Sequence, residues 1–161
     1  MAAATEVSVP DIGDFAEVPV IEIHVAADVW SATSFTELRR DGLAAERWNM
    51  LHPAEPPRRS YVGDCLAGRP GPVIAATDYV KSFADQIRAF VPGRYAVLGT
   101  DGYGRSDYRK NLRRFFEVDR HYVAVAALAS LAQDGTVPAD TVADAIARYG
   151  IDPGKPEPSL V

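Results

Sequence analysis

A chain of 161 residues with 47 % hydrophobic and 24 % charged side chains has the mixture of a folded globular domain, which excludes a disordered or fibrous chain. Lys and Arg number 17 against 22 Asp and Glu, a formal net charge of -5. That balance supplies no overall basic surface, so neither nucleic acid nor an anionic membrane is an expected partner. One cysteine, Cys65, cannot make an internal disulfide and fits a reducing, cytoplasmic compartment. The opening MAAATEVSVPD lacks the charged and apolar pattern of a secretory signal, and no segment approaches the ~20 apolar residues of a membrane helix.

In chain order, VPVIEIHV at 18–25 sets Glu22 and His24 in alternation with Ile21, Ile23 and Val25. That is the pattern of a half-buried strand. DVWSAT at 28–33 reads as a second strand. Ser34 followed by Glu37 is a capping box, and it opens a helix that carries Leu38, Ala45 and Trp48 inward. Gly42 weakens the middle of that helix. Residues 52–72 form a connector rich in proline and glycine, long enough to wrap a surface or meet a partner.

VIAAT at 73–77 is a short apolar strand, and Asp78 is placed to cap the next helix. Val80, Phe83, Ala84, Ile87 and Val91 recur at helical spacing, and Pro92-Gly93 ends the run. YAVLG at 95–99 is another apolar strand. Strand, helix and strand with short links make a βαβ unit with parallel strands.

A loop follows, then a helix to about Phe116 with Tyr108, Leu112, Phe115 and Phe116 inside and Arg109, Lys110, Arg113 and Arg114 outside. Asp119 is placed to cap an apolar helix over Tyr122–Leu131, which Asp134-Gly135 stops. A last helix starts near Pro138, buries Val142, Ile146 and Tyr149, and ends at Gly150. The fold class is α/β with a small, mostly parallel sheet and a helical C-terminal end.

The loop GTDGYGRSD at 99–107 carries the most chemistry. It leaves the carboxyl end of a parallel strand, where open α/β sheets bind ligands. Gly99, Gly102 and Gly104 permit close backbone approach, and Arg105, Ser106, Asp107 and Arg109 are candidates for holding an anion or an interface. The glycine order is neither the dinucleotide fingerprint nor a P-loop. The competing reading is a plain turn capped by Ser106 or Asp107. His24, His52 and His121 stand at no metal-ligand spacing, and Cys65 lacks the setting of a reactive thiolate. No catalytic, cofactor-binding or metal-ligating residue is assigned from the sequence.

From about Ala26 to Val161 the chain resembles the C-terminal domain of the homodimeric-type pyruvate dehydrogenase E1 component, a thiamine-diphosphate enzyme of the transketolase superfamily. The stretches that carry the likeness are DVWSATSFTELRRDGLAAERWNMLHP, VIAATDYVKSFADQIRAFVP, LGTDGYGRSDYRKNLRRFFEVDRHYVAVAALASLA and YGIDPGKP. The family usually has Phe where Tyr103 stands. Residues 6–25, EVSVPDIGDFAEVPVIEIHV, resemble the first strands of a lipoyl domain from the dihydrolipoamide acetyltransferase, E2. No Asp-Lys-Ala hairpin for a lipoylated lysine follows. Lys81 is the first lysine of the chain. No acetyltransferase His-x-x-x-Asp-Gly motif is present either.

The first resemblance implies a three-layer, transketolase C-terminal-like domain at 26–161 that lacks its usual first strand and helix. Residues 1–25 would be partial lipoyl-like strands, with Val18–Val25 partly standing in for the missing strand. It implies a part in the oxidative decarboxylation of pyruvate to acetyl-CoA, through packing and dimer contacts rather than chemistry of this chain alone. Thiamine diphosphate and Mg²⁺ are implied for the full-length family. Thr100-Asp101-Gly102 lacks the leading glycine and the later paired asparagines of the family's cofactor motif, so metal binding does not transfer to Asp101. The implied partners are a second E1 chain and E2. An alternative is a non-catalytic module that binds E1 or E2, or an E2-derived fragment without a lipoyl lysine.

Overall fold

The computed structural model describes residues 27–161. The expected strand at 18–25, His24 and the lipoyl-like stretch lie outside them. The chain divides into two units at Thr33–Ser34. In the first, the described residues 27–33 form no strand, contrary to the reading of DVWSAT. The physical reason is in its second half. Ser31, Ala32 and Thr33 have small side chains that bury little, and Val29 stands exposed.

The second unit holds α1 (Phe35–Leu51), α2 (Tyr61–Leu66), β1 (Val73–Ala76), α3 (Lys81–Asp85), β2 (Tyr95–Leu98), α4 (Arg109–Phe115), α5 (Arg120–Gln133) and α6 (Ala139–Arg148). Single 3₁₀ turns occupy Arg88–Phe90 and Pro158–Leu160. The two strands are parallel, with Val73 opposite Tyr95 and Ala76 opposite Leu98. Alternation sends Val73, Ala75, Tyr95 and Val97 to one face, where they meet Phe35, Leu38, Val62, Leu66, Ile87 and Val91. Helix α5 packs on both strands. Helices therefore lie on the two faces of a small parallel sheet, the expected α/β class.

Ser34 caps α1 by accepting the Glu37 N–H at 3.2 Å. Gly42 is buried there because a Cβ at this position would lie 2.5 Å from the Phe90 ring. The glycine thus costs helix propensity and lets Phe90 reach the core. The connector is not all loop. Asn49 clamps the Arg58 backbone from both sides, accepting its N–H at 2.7 Å and donating to its carbonyl at 2.9 Å. The Arg58 guanidinium then covers Trp48, whose other stacking partner is His52. Ser60 caps α2, a six-residue helix too short to show a sequence period.

Four further expectations differ from the structure. The run from Val80 to Val91 is not one helix, because α3 stops at Asp85. Gln86 donates from its side-chain amide to the Phe83 carbonyl, and the Tyr95 hydroxyl donates to the Ala84 carbonyl. Those carbonyls would otherwise accept the next helical N–H groups. The apolar face divides accordingly: Ala84, Ile87 and Val91 are buried, whereas Val80 and Phe83 are exposed. Asp78 does not cap α3, since Asp101 accepts the Lys81 N–H at 2.7 Å instead. Tyr108, expected inside, stands 84 % exposed as the N-cap of α4.

Arg113 and Arg114, expected outside, are half-buried and turned onto the protein. Asp119 caps α5 as expected, accepting from the His121 and Tyr122 N–H groups at 2.9 and 3.0 Å. Helix α6 follows its N-cap, Pro138, and buries Ala145.

Candidate functional site

The carboxyl ends of β1 and β2 open toward the segments 77–81 and 99–108. These two segments are stitched together. The Thr100 N–H donates to the Tyr79 carbonyl at 2.8 Å, and its hydroxyl donates to the Asp78 carbonyl at 2.9 Å. Gly99 lies so close to the opposite backbone that a Cβ would come within 2.7 Å of both the Lys81 nitrogen and the Tyr79 oxygen. Asp101 completes the join by accepting the Lys81 N–H.

Gly102 has a φ of +114°, and a Cβ there would meet the Pro158 carbonyl oxygen at 2.5 Å. The segment after α6 therefore crosses the loop at the carboxyl edge of the sheet. Lys155 anchors that segment. Its Nζ donates to the Phe115 carbonyl and pairs with Glu117 at 3.0 Å. Glu117 takes up a φ of 62°, a left-handed conformation uncommon for a residue with a side chain.

Arg105, Ser106 and Asp107 come together around a hollow of about 300 Å³, completed by Asn111, Leu112 and Phe115. The Arg105 guanidinium lies 4.0 Å from the centre of the Phe115 ring. Asp107 accepts the Tyr108 N–H at 2.7 Å and the Asn111 side-chain amide at 2.9 Å. Its carboxylate thus holds the start of α4, a position an incoming anion would have to share with a negative charge. Arg109 is exposed and does not line the hollow.

Beyond Phe115, Arg114 reads the end of α6. One nitrogen donates to the Tyr149 and Gly150 carbonyls at 2.9 and 2.7 Å, and the other sits 3.5 Å from Asp119. His121 stacks on Tyr149 with ring centres 4.6 Å apart. Burial lowers the His121 pKa, Arg120, Arg114 and Lys110 push the same way, and Asp119 opposes them. Burial also raises the Tyr122 hydroxyl, helped by Glu117.

The sequence alone does not single out Arg114, Glu117 or Lys155. Helical periodicity assigned Arg114 to solvent, and nothing in Phe-Phe-Glu-Val announces a left-handed residue. A lone lysine between prolines was the one available signal for Lys155.

A Mg²⁺–diphosphate group does not fit these residues. The Asp101 carboxylate is engaged by the Lys81 N–H, and no three His, Cys, Asp or Glu side chains converge among the described residues.

The parallel strands, the helices on both faces and the glycine loop at the strand ends define a small open α/β domain. Residues 18–119 match the family described as the transketolase-like TK C-terminal domain, and the chain belongs to that family. The match begins at residue 18, within the stretch that the sequence alone suggested to be lipoyl-like.

Among curated relatives, the pyruvate dehydrogenase E1 component of Pseudomonas aeruginosa is 64 % identical over 138 residues, 85 % of this chain and 16 % of that protein. The protein of the same name from Cupriavidus necator is 58 % identical over 137 residues, 85 % of this chain and 15 % of its own. That of Escherichia coli K12 is 52 % identical over 150 residues, 92 % of this chain and 17 % of its own. The chain thus spans between 15 % and 17 % of the length of these relatives.

Proposed function

We propose that the chain serves as the transketolase C-terminal-like part of a pyruvate dehydrogenase E1 component. Its role is packing and subunit contact in an assembly that decarboxylates pyruvate. The observation that carries this reading is 64 % identity with a protein of that name over 85 % of the chain. The oxidoreductase chemistry, with its thiamine diphosphate and Mg²⁺, belongs to the full-length E1, and the compartment is the cytoplasm. No helix among the described residues is long and apolar enough to cross a membrane.

The partners in this reading are E1 chains first and E2 through them. Tyr79 and Val80 at the strand ends, 67 % and 50 % exposed, support the subunit-contact role because they offer apolar surface beside the loop. Arg105, Ser106, Asp107 and Arg109 serve as interface residues. A domain at 26–161 and a short N-terminal stretch at 1–25 are part of the proposal.

Two measurements on the whole chain test the proposal. Calorimetric titration with thiamine diphosphate and Mg²⁺ is expected to give no saturable binding and the chain no pyruvate decarboxylation. Size exclusion with full-length E1 is expected to give co-elution. Mg²⁺-dependent turnover by the chain alone, or separate elution, overturns it.

A further inference from the structure

Two contacts join the glycine loop to the segment that follows α6. Gly102 meets the Pro158 carbonyl so closely that no side chain fits between them. The Phe115 ring receives two cations, Arg105 of the loop at 4.0 Å and Lys155 of the following segment at 5.2 Å. Lys155 also closes onto the Phe115 carbonyl and the Glu117 carboxylate, and Lys81 lies 3.9 Å from Glu157. Pro158 is buried.

From these contacts we propose that residues 150–160 act as a latch over the carboxyl ends of β1 and β2, with Lys155 as its catch. The latch and the loop 99–105 open and close as one unit. Closed, the latch fills the edge of the sheet where open α/β domains take ligands. Opening frees Gly102, withdraws the Lys155 cation from the Phe115 ring and loosens the Asp101 bond to Lys81. Because the coupling is a free energy shared by two sites, loosening either side must loosen the other by the same factor.

Native-state hydrogen exchange on the full chain tests this at the residue level. The reporters are the Leu160 N–H for the latch, which donates to Glu157, and the Lys81 and Thr100 N–H groups for the loop. Lys155→Met keeps an apolar stem over Phe115 and removes the charge. It is expected to speed exchange at all three amides by about tenfold, the signature of a joint opening.

Gly102→Ala enters from the loop side and should reproduce the same three changes. Gly104→Ala, where a Cβ meets open space, should leave them at the wild-type rate. Faster exchange at Leu160 alone in either variant would show a passively packed segment and overturn the latch. So would unchanged rates in both variants. If one variant fails to fold, the other gives the same reading, since each disturbs a different side of the contact.

Discussion

The Tyr95 hydroxyl donates to the Ala84 carbonyl at 2.9 Å from within the core. One residue of β2 thereby ends α3 and joins the sheet to the helical layer. Tyr95→Phe keeps the ring and leaves the carbonyl without its donor, which should cost about 1–3 kcal/mol in urea unfolding.

The same bond sets an alkaline limit. Burial and the nearby Asp85 hold the Tyr95 pKa up at about 12, against 10.0 for an ordinary tyrosine, while Arg88 opposes them. The folded state keeps this proton longer than the unfolded state. Its stabilisation is therefore complete below the ordinary value and is lost as pH climbs from about 10 through about 12. Tyrosinate absorbance followed against pH should show one late-titrating hydroxyl fewer in Tyr95→Phe than in the wild type.

Gly42 and Phe90 make a second prediction. Gly42→Ala gains ~1 kcal/mol in helix propensity. It forces a methyl against a ring only 2.5 Å away, an overpacking of ~1–3 kcal/mol. A net loss is expected, and Phe90→Leu in the same chain should recover part of it. Additive losses in the double variant would show that the two sites do not touch.

Asn49 governs the connector. With both of its bonds to Arg58 removed, Asn49→Ala should leave α1 helical yet expose the backbone at Arg58 and Arg59. Trypsin cleavage there should quicken while the circular dichroism of the chain stays unchanged. Equal cleavage rates would mean that the Arg58–Trp48 stack alone holds the connector.

His121 predicts an acid response. Its lowered pKa means that the folded state binds fewer protons than the unfolded state near the ordinary histidine value of 6.5. Stability is complete above that value and falls as pH drops through it, until the folded histidine also protonates. Urea midpoints for the wild type and His121→Gln between about pH 8 and pH 5 should differ in slope, with the steeper fall in the wild type. Identical slopes would remove His121 from the account.

The interface reading of the loop is tested by Arg105→Ala with Arg109→Ala. Their joint loss should weaken co-elution with full-length E1 by more than the ~1 kcal/mol of an exposed ion pair. Unchanged association would return the segment to a turn that merely starts α4.

Much of the fold was legible because its signals are local. The Ser34 capping box, the Asp119 cap and the apolar runs that became β1 and β2 each depend on a few neighbouring residues. Helix α3 was overextended because its end is set by Tyr95, eleven positions away, and no periodicity carries that information. The same holds for Asp101, read as a loop residue and found as the acceptor for Lys81 twenty positions earlier. At the candidate site, sequence picked out the loop and Arg105 but not the Phe115 ring beneath it. The contribution of Lys155 depends on a chain reversal after α6 that composition does not encode.

Gly99 and Gly104 stand five positions apart in one loop and face opposite fates under mutation. At Gly99 the obstructing atoms are backbone, all within 2.9 Å of any added Cβ, so no repacking of side chains can accommodate a replacement. At Gly104 there is open space. A saturation library screened for folded chains should therefore retain glycine alone at 99 and accept most residues at 104. The loop's tolerance is set residue by residue by what lies opposite, and its glycine content as a whole is a poor guide to it.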